Sequence, residues 1–135
     1  MPRPTLTSTR FIADTNVAID FINNPAHARA RLVPGTIVFV PTAVLGELFF
    51  GARNLKRVEQ NLANVEHFAS SAKVLVTDLG IARWYGELRQ QLQAKGRPIP
   101  DNDLWIAAAA VAHGLPVATR DAHFREVALL QVLDW

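Results

Sequence analysis

Cysteine is absent from the 135 residues, which excludes a disulfide scaffold, a thiolate nucleophile and a Cys-ligated zinc site. The same absence is compatible with a reducing cytoplasm, the compartment expected here. Long hydrophobic runs are missing too. Leu104 to Ala112 is apolar but well short of the ~20 residues a bilayer span requires, so it reads as a buried helix and no membrane association is expected. Residues 1–9 are polar and carry two prolines; they lack the apolar core of a secretory signal and are expected to form a flexible N-terminal extension. Charged residues reach only 19% against 50% hydrophobic, a balance that argues against disorder. Phosphate-binding glycine patterns are absent: Gly46 and Gly51 have the P-loop gap, but Ala52-Arg53 follows where Lys-Ser/Thr is needed. The four histidines form no H-E-x-x-H pair, and no serine sits in a nucleophile elbow.

What remains is a chain of single-domain length, able to bury roughly two thirds of its unfolded surface. It alternates short β-like runs with helical stretches. Strands are expected at Arg10–Asp14, Thr36–Val40, Lys73–Val76, Leu115–Thr119 and Leu130–Leu133. Between them, helices are expected over Thr15–Asn23, Pro25–Leu32, Pro41–Ala52 and Leu55–Phe68. Two more should run from a cap at Thr77 or Asp78 to Ala94, and from a cap at Asp101 or Asn102 to His113, with a short turn over Ala122–Glu126. In the Leu55–Phe68 segment, Leu55, Val58, Leu62, Val65 and Phe68 recur at three or four residues, the signature of one buried helical face. Such alternation implies an α/β fold of three layers: a central, mostly parallel sheet of about five strands flanked by helices. Trp84, Trp105 and Trp135 are assigned to core or interface packing.

Parallel sheets bind ligands at the carboxyl ends of their strands. Asp14 closes the first expected strand, and Asp121 lies just beyond the fourth. Glu47 is the only ionisable residue between Thr36 and Ala52, and Asp103 opens the most apolar helix. Each acid has an ordinary explanation as well. Asp14 and Asp103 suit helix N-termini and Asp121 suits a turn. Glu47, mid-helix with no cation at Ala43 or Gly51, is the hardest to place by such means. Four acids in one pocket would repel and take up protons, whereas a divalent cation would hold them ionised. Hard oxygen ligands select Mg²⁺ or Mn²⁺, which can activate water and neutralise a phosphodiester. Setting these four aside leaves eight acids against 14 basic residues, 11 of them Arg, a surface suited to a polyanion. Arg53, Arg120 and Arg125, near Glu47 and Asp121 in sequence, are the candidates to hold a phosphate backbone.

In order along the chain stand Phe11-Ile-Ala-Asp14-Thr15-Asn16, Val44-Leu-Gly-Glu47-Leu-Phe-Phe-Gly51, Asn102-Asp103-Leu-Trp-Ile106-Ala-Ala108, and Gly114-Leu-Pro-Val-Ala-Thr119-Arg-Asp121-Ala-His-Phe124. Together they resemble the four motifs of the PIN-domain ribonucleases, most closely the VapC-type toxins of toxin–antitoxin pairs. The resemblance covers nearly the whole chain, with Val117 in place of the family's second Leu. It implies a metal-dependent endoribonuclease with catalytic Asp14, Glu47, Asp103 and Asp121. Asp14 and Asp103 would be the main ligands of Mg²⁺ or Mn²⁺, and Glu47 and Asp121 could act through water. Thr15, Asn16 and Thr119 would give hydrogen-bonding support. A homodimer, a cognate VapB-like antitoxin and an RNA substrate are implied partners, and Asp101 becomes an extra acid, a cap or an outer-shell group. Two rivals remain. A haloacid-dehalogenase-like phosphohydrolase would use Asp14 as nucleophile, although Asn16 stands where its general acid belongs. A non-catalytic RNA- or protein-binding module would use the acids structurally.

Overall fold

The computed structural model describes residues 5–135. Five strands form one sheet: β1 (Arg10–Ala13), β2 (Ile37–Pro41), β3 (Lys73–Leu75), β4 (Val117–Thr119) and β5 (Val132–Asp134). Their order is β3-β2-β1-β4-β5, and every pairing is parallel. Six α-helices connect them among the described residues: α1 (Thr15–Asn23), α2 (Pro25–Ala30), α3 (Thr42–Arg53), α4 (Val58–Ser71), α5 (Leu79–Ala94) and α6 (Asp101–His113). A 3-10 turn at Ala122–Glu126 leads into β5.

The chain moves outward from β1 to β3, then returns to the other side of β1 for β4. Right-handed crossovers, the rule for parallel strands, therefore put α1 to α4 on one face and α5 and α6 on the other. Most helix contacts follow that division: α1 touches α2, α3 and α4, and α5 packs along α6, while α3 also meets α6 across it. The direction of progression reverses between β1 and β4, and the crevice outside the carboxyl ends of those two strands is where such a sheet presents a site.

Burial on both faces explains the apolar strands. Phe11, Ile12, Val40 and Val117 are fully buried, each contributing about 1.5–3 kcal/mol by leaving water. On α6, Ile106 and Ala107 to Ala110 are buried around the helix; the small alanines let it lie close to its neighbours, which is why this element carries no amphipathic pattern. Trp135 is buried and tilted against Phe21, Trp105 stacks on Tyr85 at 3.9 Å, and half-buried Trp84 packs on the core.

Several boundaries differ from expectation for local reasons. Asp14 lies outside β1 and caps α1, its side chain accepting from the Thr15 amide. The helix expected from Leu55 begins at Val58, because Arg57 adopts a left-handed conformation, φ 62°. Leu55 consequently sits in the preceding turn, 66% exposed, rather than on the buried helical face. The last strand starts two residues later and ends one residue later than expected, set by the pairing of Val132 with Val117. Of the expected N-terminal extension, residues 1–4 lie outside the described residues; Leu6 is held, its amide donating to the Arg31 carbonyl at 2.8 Å beside a parallel bridge to Leu32.

The Asp78 side chain accepts from the Ile81 amide at 3.0 Å and caps α5. Asp78→Ala is expected to cost about 1 kcal/mol of stability without changing the fold, measurable as a lowered urea midpoint with an unchanged m-value.

Candidate active site

Asp14 is the most constrained acid of the molecule. It is only 4% exposed and stands at the carboxyl end of the central strand. Its Oδ1 accepts from the Thr15 amide at 2.7 Å. Its Oδ2 accepts from the Thr119 hydroxyl at 2.7 Å and the Asn16 amide at 3.1 Å. Thr119 ends β4, so that one hydroxyl ties the two strands at the reversal point. It also accepts from the Asp121 amide at 2.9 Å, setting the turn that presents Asp121.

Glu47 comes from the middle of α3 and is half-buried. The Thr15 hydroxyl donates to its Oε2 at 2.8 Å, so the residue after Asp14 fixes the second acid as well. Asp103 lies in the first turn of α6, where the helix dipole favours negative charge. Asp101 is two residues earlier, about 200° around a helix of 3.6 residues per turn. It turns away and accepts from the Tyr85 hydroxyl of α5, outside the acidic group.

Burial is the main reason the Asp14 carboxyl lies above its usual range, and the charges of Glu47 and Asp121 add to it. Asp103 is raised chiefly by burial as well, then by the charges of Asp14 and Asp121, against a hydrogen bond from His123 that lowers it. These mutual effects bring Asp14, Glu47, Asp103 and Asp121 into one electrostatic group.

His123 is the residue that sequence reasoning missed. Its Nδ1 lies 3.1 Å from Asp103 Oδ2 and 3.0 Å from Asp121 Oδ1, and the Asp103 hydrogen bond is the main cause raising its imidazole above the ordinary range. A lone histidine two residues after Asp121 carries no spacing motif; its only signal was proximity to a candidate acid.

The candidate RNA-binding arginines are placed unequally. Arg53 is exposed on the last turn of α3. Arg120 pairs with Asp20 at 2.8 Å and also donates to the Asn16 carbonyl at 3.3 Å, so it braces α1 against the turn after β4. Arg125 is exposed and paired with Asp134.

The sequence profile of the PIN domain matches residues 11–130. The chain belongs to the PIN-domain family. It is 36% identical over 130 residues to a tRNA(fMet)-specific endonuclease VapC of Shigella flexneri, covering 93% of this chain and 98% of that one. Among solved structures, VapBC-1 from nontypeable Haemophilus influenzae matches with TM-score 0.81 and 29% identity, over 93% of this chain and 98% of that one. DNA-bound VapBC from Salmonella typhimurium matches with TM-score 0.80 and 30% identity, over 95% and 99%.

PIN nucleases in general depend on a divalent cation, and the donors here suit one. Asp103, Asp121 and His123 offer ligand atoms all within 4.8 Å of one another, beside the buried Asp14. Crowded carboxylates held above their usual range are the state that a bound cation relieves.

The raised carboxyls make stability depend on pH. Asp103 keeps its proton in the folded protein where the unfolded chain, at about 3.9, has lost it. Its contribution therefore falls as pH rises through that window. The His123 contribution is present below about 6.5 and is lost as pH rises through its raised folded value. In chelator, Asp103→Asn is therefore expected to match wild-type thermal stability near about pH 3.5 and to exceed it near about pH 9, beyond the imidazole range. Scanning calorimetry at the two values checks this; a variant less stable than wild type at the upper value contradicts it.

Proposed function

We propose that this chain is the toxin of a type II toxin–antitoxin pair, an endoribonuclease that hydrolyses RNA phosphodiester bonds with Mg²⁺ or Mn²⁺. The observation that carries the proposal is the gathering of Asp14, Glu47, Asp103 and Asp121 at the carboxyl ends of β1 and β4 in a PIN chain related to VapC endonucleases. On this reading the whole chain, 1–135, is one PIN domain that works in the cytoplasm as a homodimer.

Asp14 and Asp103 would be the main metal ligands, with Glu47 and Asp121 acting directly or through water. When bound, the cation lowers the pKa of a coordinated water and neutralises charge on the phosphodiester. The chain's own groups do the positioning. Thr15, Asn16 and Thr119 donate to Asp14 and hold both its oxygens. Thr15 also holds Oε2 of Glu47, leaving Oε1 to take a proton from the attacking water. Arg53, Arg120 and Arg125 are exposed and would meet the RNA backbone, Arg120 and Arg125 only by exchanging their present acidic partners.

Relatives named VapBC are complexes, and the surface beside Glu47 suits a partner segment. Ile19, Ile22, Leu48, Leu55 and Val65 line an apolar cleft that reaches Thr15 and Glu47. Ile19 and Leu55 are exposed large hydrophobics, the kind of surface a partner covers. A VapB-like antitoxin lying in this cleft would cover the acids. The phosphohydrolase alternative is disfavoured by Asn16, whose amide donates to Asp14 where a general acid would be required. A purely structural role for the acids is disfavoured by their crowding, which costs stability without a cation.

Purified protein incubated with total RNA is expected to give cleavage products with Mn²⁺ or Mg²⁺ and none in chelator. Asp14→Asn and Asp103→Asn are each expected to lower the rate at least about a hundredfold, with circular dichroism confirming that both are folded. Wild-type cleavage in either folded variant, or in chelator, would falsify the proposal.

A further inference from the structure

Among the described residues, His123 is the one histidine that forms ion pairs with acids, and both of its partners belong to the acidic group. We infer that His123 is a nitrogen donor of the divalent-cation site, sharing the ion with Asp103 and Asp121, and that the site consequently favours first-row transition ions over Mg²⁺. This inference rests on the nuclease reading above and names a ligand which that reading does not require.

Three features of the structure support it. The first is position. Nδ1 of His123 stands 3.1 Å from Asp103 Oδ2 and 3.0 Å from Asp121 Oδ1. An octahedral ion with bonds of about 2.1 Å spaces its neighbouring donors about 3.0 Å apart. Both nitrogen–oxygen separations therefore match those of adjacent ligands of one ion, and all three donors lie within 4.8 Å of one another.

The second is anchoring. The His123 amide donates to Asp121 Oδ1 at 2.9 Å, which caps the 3-10 turn. Phe124, the next residue, is fully buried. The backbone of His123 is thus held between a site carboxylate and the core, so the ring is presented to the acids rather than drifting in a loop. The third is freedom of the ring itself. Its side chain is 51% exposed, which leaves the ring room for the small rotation that brings Nδ1 onto an ion. Nδ1 faces the carboxylates, so a coordinating ring would carry its proton on Nε2.

The consequence for metal choice follows from ligand chemistry. Mg²⁺ prefers oxygen donors and gives up its waters reluctantly. Imidazole nitrogen adds affinity for transition ions, rising from Mn²⁺ through Fe²⁺ to Co²⁺. A site of carboxylates alone would lack that bias.

Pulsed electron paramagnetic resonance of the full chain loaded with one equivalent of Mn²⁺ tests the inference without any activity measurement. The expected result is ¹⁴N modulation from a directly bound imidazole in wild type, absent in His123→Ala. Calorimetric titration is expected to show His123→Ala losing at least about tenfold in Mn²⁺ affinity while Mg²⁺ affinity stays within about twofold. Mn²⁺ bound to wild type without ¹⁴N modulation, or modulation that persists in His123→Ala, overturns the inference and leaves the nuclease reading standing. A hydrogen-bonding role for His123 alone gives the first of those results. Failure of wild type to bind Mn²⁺ at all overturns both.

Discussion

The Thr119–Asp14 hydrogen bond, 2.7 Å between the ends of β4 and β1, is the contact on which the rest of the site depends. A carboxylate this deeply buried is costly unless its oxygens are satisfied. Asp14 meets that requirement with a backbone amide and two side chains, and each donor has a second task. Thr15 also holds Glu47, Thr119 also sets the turn leading to Asp121, and Asn16 accepts from the Arg120 amide at 3.2 Å. The site is therefore assembled outward from one buried group.

The sheet topology makes such an assembly possible. Strands β1 and β4 are neighbours in space although more than 100 residues separate Asp14 from Thr119. Reversal of the strand order opens the crevice between them, and α1 and α6 both begin at it. Two helix N-termini then face the acids, offsetting part of the repulsion that four carboxylates create. Burial first, and the rest of that repulsion second, raise the Asp14 and Asp103 carboxyls.

Much of this was legible in the residues because core and site leave different marks. Apolar β-branched runs located four strands closely, and acids interrupting apolar segments marked the groups that the fold gathers. What escaped notice depended on information that periodicity does not carry. Leu55 continues a helical repeat perfectly well on paper, but the left-handed Arg57 separates it from the helix. Spacing alone leaves Asp101 and Asp103 interchangeable; the family resemblance chose Asp103, and the helix turns Asp101 toward Tyr85 and Asp103 toward Asp14. Arg120 reads as a free cation, yet Asp20, a hundred residues away, accepts from it. His123 had no partner motif at all; only the folded turn reveals its two carboxylate neighbours.

Acids distant in sequence are folded into one place whose donors suit a cation. Anomalous diffraction from a crystal of the full chain grown with Mn²⁺ measures that directly. A single strong peak is expected within bonding distance of Asp14 and Asp103, with Asp121 and Glu47 bonded or one water away. A peak remote from these residues, or none at saturating Mn²⁺, would contradict it.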